Sequence, residues 1–308
     1  MATYLMDSRS FNTSKKYFAQ FNRWKHFSSV YGLTSLPAEP VHIALFLTYL
    51  IDKKCSSGVV DSVVYSIKWV HSLRGYLDPT ENSFVKNLQS SSKRINNRPV
   101  CKKDSISSDL LVQLCEKYKS SDDLLVVTDL VMILLGFAGF FRFDELSNLK
   151  CKDTKIFENY LSVFIAHSKT DQIRQGNEIL ISKGQTCACP YNMFLRYKSL
   201  AGLDASSDIF IFRPIFRTAG KAQLVYKNKK MSYTSARENI VKRLKEVAPT
   251  LHLGLHSLRS GGATAAALSN VNERCIKRHG RWKSDFSKDG YIDDTLQKRL
   301  SVSQNLKL

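Results

Sequence analysis

Apolar residues recur at helical spacing through the first hundred positions. Tyr17, Phe18, Phe21, Trp24 and Phe27 fall on one broad face, which predicts a helix capped by Thr13 or Ser14 and stopped by Gly32. Pro40 suits the first turn of a second helix, because its missing N–H is not needed there; the apolar run is Val41 to Ile51. Ser56 or Ser57 starts a third, with Val59, Val60, Val63, Val64, Ile67 and Val70 in register. Asp78-Pro79-Thr80 marks a turn and cap before a fourth helix holding Phe84, Val85 and Leu88. Farther on the pattern is mixed. Ser107-Ser108-Asp109 can cap a helix with Leu110, Leu111 and Leu114 inside, and an apolar helix follows near 122–141. Leu161, Val163 and Ile165 alternate like a half-buried strand, with Glu178 to Ile181 as its partner across a polar turn containing Gly176. Pro190 opens another helix, and Ile209 to Phe212 is a short apolar run of ambiguous type.

These elements predict two domains in 308 residues: an all-α unit over 1–97, a basic linker over 98–106, and a mostly α unit with a small antiparallel sheet over 107–308. The apolar run from Leu130 to Phe141 is too short to span a bilayer and reads as a buried helix, so no membrane is expected. The opening residues, Met1 to Asn12, are polar and carry no signal peptide. Seven cysteines at positions 55, 101, 115, 151, 187, 189 and 275 form no disulfide spacing, and one Cys187-Ala-Cys189 pair is poor grounds for zinc.

Charge changes the picture more. Forty-six Lys and Arg stand against 27 Asp and Glu, a net +19, which points to a polyanionic partner and first to nucleic acid. Two stretches concentrate it. Residues 86–103 hold Lys86, Lys93, Arg94, Arg98, Lys102 and Lys103 with no acid, either a solvated linker or a strap along a phosphate backbone. From Arg213 to Lys245 a single acid, Glu238, faces ten cations, with Lys227, Lys229, Lys230 and Arg237 among the candidate duplex contacts.

One set of residues has the types that metal-free phosphodiester transfer requires: Arg142, Lys169, His256, Arg259, Trp282 and Tyr291. Negative charge builds on the non-bridging oxygens, and a planar, permanently charged guanidinium fork matches it. The leaving oxygen needs a proton donor. A hydroxyl nucleophile keeps the bond energy in a covalent intermediate, and a tyrosine in that role needs cations or a base nearby. His256 and Arg259, three apart, share one face of a helix that starts after Gly254, where unpaired N–H groups also favour an anion. Gly261-Gly262 and the alanines after them permit close approach of other backbone. His-x-x-Arg alone is common; with Trp282 and then Tyr291 after it the pattern is specific.

On these residues the chain resembles the tyrosine recombinase (phage integrase) family. Phe140-Phe141-Arg142-Phe143-Asp144-Glu145 is similar to the family's first box and Leu255 to Thr264 to its second; Ser168-Lys169-Thr170 falls where the family keeps a hairpin lysine, Gly280-Arg281-Trp282 where most members carry Gly-His and some Trp, and Asp289-Gly290-Tyr291 where the nucleophile sits. His256 to Thr264 and Lys277 to Asp285 are also similar in wording to recombinases of animal mobile elements of the DIRS or Crypton type. The resemblance implies a helical core-binding, DNA-clamping domain before the catalytic one, and a site-specific recombinase. It gives Arg142 and Arg259 to the scissile phosphate, Lys169 to the leaving 5′ oxygen, His256 to acid–base work, Trp282 to an indole N–H donor, Glu145 to orienting its neighbours, and Tyr291 to attack, leaving a 3′-phosphotyrosine. It needs no metal or nucleotide cofactor, and it narrows the partner to double-stranded DNA and implies a tetramer on it with exchange of C-terminal segments, in the nucleus of a eukaryote or the cytoplasm of a prokaryote. The amphipathic tail with Leu296, Leu300, Val302 and Leu306 either folds back on its own subunit or docks on a neighbour. His279, three before Trp282, reads as structural or as a phosphate contact. Two other functions stay open: a type IB topoisomerase-like relaxing enzyme, against which His256 leans, and a domesticated DNA-binding protein that no longer cuts.

Overall fold

The computed structural model describes every residue except Met1, Arg98, Val100, Thr170, 172–174, Ala219 and 307–308, so Arg98, expected among the DNA contacts, lies outside the described residues. The chain divides into two compact units, Met1–Cys101 and Lys102–Leu308.

The first unit is helical throughout. A short α1 (Ala2–Asp7), not expected from the sequence, precedes α2 (Phe11–Val30), α3 (Pro40–Asp52), α4 (Ser57–Leu73) and α5 (Ser83–Ile95). Two expected caps move. Ser10, not Thr13 or Ser14, caps α2, its hydroxyl accepting the Thr13 amide. Asn82 caps α5 through the Phe84 amide, while Asp78 caps the single 3-10 turn before it. Pro40 and Ser56 stand where expected, at the first turn of α3 and the N-cap of α4. Helix α2 packs on α4 and α3 on α5. Trp24, Ile43, Leu47, Val60, Val63, Ile67 and Val85 form the core between them, so the aromatic stripe of α2 serves packing. Trp24 sends its indole N–H to the Ser35 carbonyl at 2.9 Å, satisfying the one polar atom it buries.

His71 pins the loop before α3. Its Nε2 accepts the Ala38 amide at 2.8 Å, so Nδ1 carries the proton and donates to the Ile67 carbonyl at 2.7 Å. Both nitrogens are used by the neutral ring, and burial holds its pKa below the usual histidine value.

In the second unit α6 (Ser108–Lys117) leads to α7 (Leu124–Ala138), a helix buried on nearly all sides. Its two polar residues are satisfied: the Thr128 hydroxyl donates to the Leu124 carbonyl, and Asp129 pairs with Arg243 at 3.2 Å. Helix α8 (Phe143–Ser147) follows directly. A three-stranded antiparallel sheet comes next, β1 (Thr154–Ile156), β2 (Tyr160–Ile165) and β3 (Asn177–Ser182), with Leu161 opposite Ile181 and Val163 opposite Ile179 on the buried face. Helix α9 (Pro190–Leu200) packs on α7; the run Ile209 to Phe212 forms no strand, only a bridge from Phe210 to Lys150, with Ile211 and Phe212 in the core. The basic block contains a hairpin the periodicity did not predict, β4 (Ile215–Thr218) and β5 (Lys221–Leu224), and then α10 (Tyr233–Lys245). Helices α11 (Leu255–Leu268), α12 (Glu273–His279), α13 (Asp285–Asp289) and α14 (Leu296–Gln304) complete the unit. Among the described residues no helix is long and apolar enough to cross a membrane.

Protonating His71 would set a new N–H against the Ala38 amide. Its folded pKa is lowered, so the native state binds fewer protons than the unfolded chain below about pH 6.5, and the stability present above that pH is lost as pH falls through it, by up to about 1.4 kcal/mol per unit. Urea unfolding read at Trp24 and Trp69 in a Trp282→Phe background should show a midpoint falling from about pH 7 to about pH 5, with a clearly flatter trend in His71→Gln. Equal slopes would remove His71 as the cause.

Candidate active site

Helix α7 ends in a way that builds the site. Its last carbonyls have no partner in the next turn, because Phe140 turns left-handed at φ 48° and the chain leaves to start α8. The Ala138 carbonyl takes Nε2 of His279 at 2.8 Å, and the Gly139 carbonyl takes Nη1 of Arg281 at 3.2 Å. The Phe140 carbonyl takes two guanidiniums, Nη1 of Arg259 and Nη2 of Arg281, the latter at 2.9 Å. The negative end of the buried helix is thus capped by side chains from α11, from α12 and from the turn after α12.

Close packing makes this reach possible. A Cβ on Gly262 would collide with the Phe137 carbonyl and the Phe140 ring, and one on Gly261 with the Ile106 carbonyl. The Gly261-Gly262 pair lets α11 lie directly against the end of α7 and against the extended residues before α6. Arg259, on the same helix, is fully buried.

Arg142 caps α8 from its own first position. Its amide donates to one oxygen of Glu145 at 2.9 Å and its Nη1 to the other at 2.9 Å. Ser168, in the turn after β2, donates to Glu145 at 2.8 Å and accepts from Arg142 Nη1 at 3.4 Å. Arg281 completes the set, 2.8 Å from Glu145 Oε2. Burial would raise the Glu145 carboxyl, but the Arg281 charge, the Arg142 amide and the Arg142 guanidinium outweigh it and hold it below the usual carboxylate range.

On the other side of Arg259 lie the aromatic residues. Its guanidinium carbon stands 4.5 Å from the Trp282 ring and 5.1 Å from the Tyr291 ring, and those two rings are 5.4 Å apart. His256 stands 6.5 Å from Tyr291, ring to ring. The Tyr291 carbonyl accepts the Ser260 hydroxyl at 2.8 Å, which ties the tyrosine backbone to α11. Burial, with Arg142 and Arg281 nearby, pushes the Arg259 guanidinium below its usual range, yet a guanidinium so displaced is still a cation at neutral pH. Three buried donors here have no protein acceptor among the described residues: Arg259 Nε and Trp282 Nε1, on groups stacked near Tyr291, and Arg281 Nε. Buried donors of this kind call for a partner, and an anion seated beside Tyr291 would supply one.

The structure therefore brings together Arg142, Glu145, His256, Arg259, Trp282 and Tyr291. Lys169 sits exposed in the turn between β2 and β3, near enough for its charge to act on His256. Burial first, then Arg259, Arg142 and Lys169, hold that imidazole below its usual pKa, so it is neutral at pH 7. His279 lies beside the site, bonded to the Ala138 carbonyl and edge-on to Phe140 at 4.7 Å. Two members were not singled out as site residues in the sequence: Arg281 and Ser168. Each neighbours a residue that was, Trp282 and Lys169, and nothing in residue type marks either one. Among the described residues no group of three His, Cys, Asp or Glu is placed to hold a metal ion. The Cys189 sulfur caps α9, and Cys187 faces the Val112 carbonyl.

The basic residues are spread more widely. Lys93 and Arg94 lie exposed on the last turn of α5, Lys93 being 3.6 Å from Asp61. Residues 102–106 are not loose chain: the Asp104 amide donates to the His252 carbonyl at 3.1 Å, the Ile106 amide to the Ser257 carbonyl at 3.4 Å, and Lys103 pairs with His252. Lys102 reaches the Gly290 carbonyl at 3.4 Å, next to Tyr291. Lys227, Lys229 and Lys230 lie exposed after β5 and Arg237 exposed on α10, with Lys230 bonded to Asn148 at 3.0 Å.

Comparison with known proteins bears on the chain as a whole. The chain is 28% identical over 294 residues to an integrase/recombinase XerD homolog of Selenomonas ruminantium, covering 94% of this chain and 83% of that one. Over nearly its whole length the chain is thus similar to an integrase/recombinase. Its fold matches XerH site-specific recombinase bound to a palindromic difH substrate, with a TM-score of 0.61 at 12% identity over 96% of this chain and 78% of that one. It likewise matches a lambda integrase dimer bound to a COC′ core site, with a TM-score of 0.55 at 15% identity over 93% and 73%. No protein-family model matches the chain. The all-α unit followed by a mostly helical unit with a small antiparallel sheet is thus the tyrosine recombinase fold.

The cations around His256 make a titration test. Arg142→Ala and Lys169→Ala should each raise its pKa, the arginine change more. Proton NMR of the His256 ring reads this directly, and an unmoved midpoint would place those charges out of reach.

Proposed function

We propose that this chain is a site-specific DNA recombinase that cuts and rejoins strands through a 3′-phosphotyrosine on Tyr291. The observation that carries the reading is the arrangement around that ring: Arg259 and Trp282 pack beside it, and each keeps a buried donor that no protein atom among the described residues accepts. A scissile phosphate held by Arg142 and Arg259 would take those donors and place its phosphorus before the Tyr291 hydroxyl. The hydroxyl oxygen attacks phosphorus, its proton passing to neutral His256. The bond to the 5′ oxygen breaks, and Lys169 gives that oxygen its proton. Rejoining runs the same steps backward, with the 5′ hydroxyl as nucleophile. The Lys and Arg of α5, of residues 102–103 and of the block from Lys227 to Arg237 would lie along the phosphate backbone. A mobile element as the source fits the wording of His256 to Thr264 and Lys277 to Asp285.

We further propose that the working form is a tetramer in which C-terminal segments exchange. Helix α14 buries none of its side chains on its own chain, and Leu296, Val302 and Leu306 are more than half exposed. An amphipathic helix of this kind is stable only when its apolar face is covered.

Covalent trapping tests the chemistry. The protein, incubated with a randomised nicked duplex library, should give an adduct that survives a denaturing gel; Tyr291→Phe should give none, and Arg259→Ala should lower the rate by at least about 100-fold. Binding on a native gel without any adduct would leave a DNA-binding protein that does not cut. For the assembly, Leu300→Glu with Val302→Glu should reduce the tetrameric band on trapped DNA while adducts on single sites persist; an unchanged band would exclude α14 from the contact.

A further inference from the structure

We infer that Arg281 is a positioning residue of the cleavage reaction: its buried guanidinium sets the placement of both phosphate-binding arginines, Arg142 and Arg259, without meeting DNA itself. The inference rests on the reading above, in which those two arginines hold the scissile phosphate.

Arg281 has a backbone that only a demanding role explains. It is left-handed at φ 57°, a conformation costly for a side chain of this size. That turn carries the side chain away from solvent, leaving it 2% exposed. Once inside, the guanidinium makes four bonds, to the carbonyls of Gly139, Phe140 and His279 and to Glu145 Oε2. Its carbon also sits 5.1 Å over the Phe141 ring. Both terminal nitrogens of the fork are taken by protein groups and Nε is buried without a partner among the described residues, so the fork acts on the phosphate through its neighbours.

Two of those neighbours are shared. The Phe140 carbonyl receives Arg259 and Arg281 together, so the place of one guanidinium limits that of the other. Glu145 is divided as well: Oε2 goes to Arg281 and the Arg142 amide, Oε1 to Arg142 Nη1 and Ser168. Without Arg281, Glu145 would be free to face Arg142 with both oxygens, a bidentate pair that draws the guanidinium inward and cancels its charge. With Arg281 present the three guanidiniums and one carboxylate keep two net positive charges. Arg281 thus acts as a wedge between the carboxylate and the arginine that a phosphate must use.

The test uses the full chain and the duplex best trapped in the experiment above. Arg281→Met removes the fork, Arg281→Lys keeps the charge, and Arg281→Asn removes the charge while suiting the left-handed backbone, so it separates strain from electrostatics. Single-turnover adduct formation at saturating DNA should fall about 100-fold in Arg281→Asn and Arg281→Met, with DNA affinity unchanged and partial rescue in Arg281→Lys. On a duplex whose scissile phosphate is replaced by an uncharged methylphosphonate, the deficit should shrink, because less charge then needs the arginines. A deficit equal on both duplexes, or a wild-type rate in Arg281→Asn, would overturn the inference. If the wild-type protein forms no adduct, the recombinase reading fails while this one is still decided: side-chain NMR of Arg142 and Arg259 in the free protein should shift in Arg281→Asn, and unmoved resonances would sink it.

Discussion

Like charges repel, and the second unit holds several cations within one small volume. Arg142 and Arg281 pair with a single buried carboxylate, Glu145, whose charge also acts on Arg259, and the carbonyls at the end of α7 supply the remaining negative potential. Much else in the second unit serves this arrangement. The left-handed turns at Phe140 and Arg281 aim carbonyls and guanidinium at each other, the paired glycines of α11 allow the approach, and the aromatic rings of Phe141, Trp282 and Tyr291 cover the cations with faces that attract them. The low pKa of His256 belongs to the same field, and it keeps the ring ready to accept a proton at neutral pH.

Burial of this kind is expensive unless every polar atom is paired. Most are. Within the cluster three donors are left over among the described residues: Nε of Arg259, Nε1 of Trp282 and Nε of Arg281. The first two belong to groups packed beside Tyr291, where an anion would take them, and an opening of that kind is what separates an anion site from a fully paired structural network.

How much of this the sequence revealed depended on whether a signal was local. Helices α3 and α4 were legible because their starts are marked by Pro40 and Ser56 and their apolar spacing is regular. Strands β2 and β3 were legible from alternation, since one face is buried. The short strand β1 and the hairpin β4 to β5 were not, because three or four residues with mixed exposure carry no period. Cap choice slipped where several residues compete, as with Ser10 against Thr13. Arg142, His256, Arg259 and Tyr291 could be read from types and spacing together. Arg281 could not: its importance lies in three carbonyls and a carboxylate more than a hundred positions upstream or at the end of the preceding helix, and no sequence pattern records which carbonyls lack a partner.

The way α7 ends also orders events in time. Its last carbonyls find donors only on Arg259, His279 and Arg281, all supplied by chain that a ribosome makes much later. A nascent protein that has emerged as far as α10 can fold its sheet and its central helix but cannot finish the end of that helix or hold Glu145 in place. Such an unfinished chain already carries the basic residues of α5 and α10 but no assembled site. On the function proposed above, cutting ability then waits for the chain from Arg259 to Tyr291.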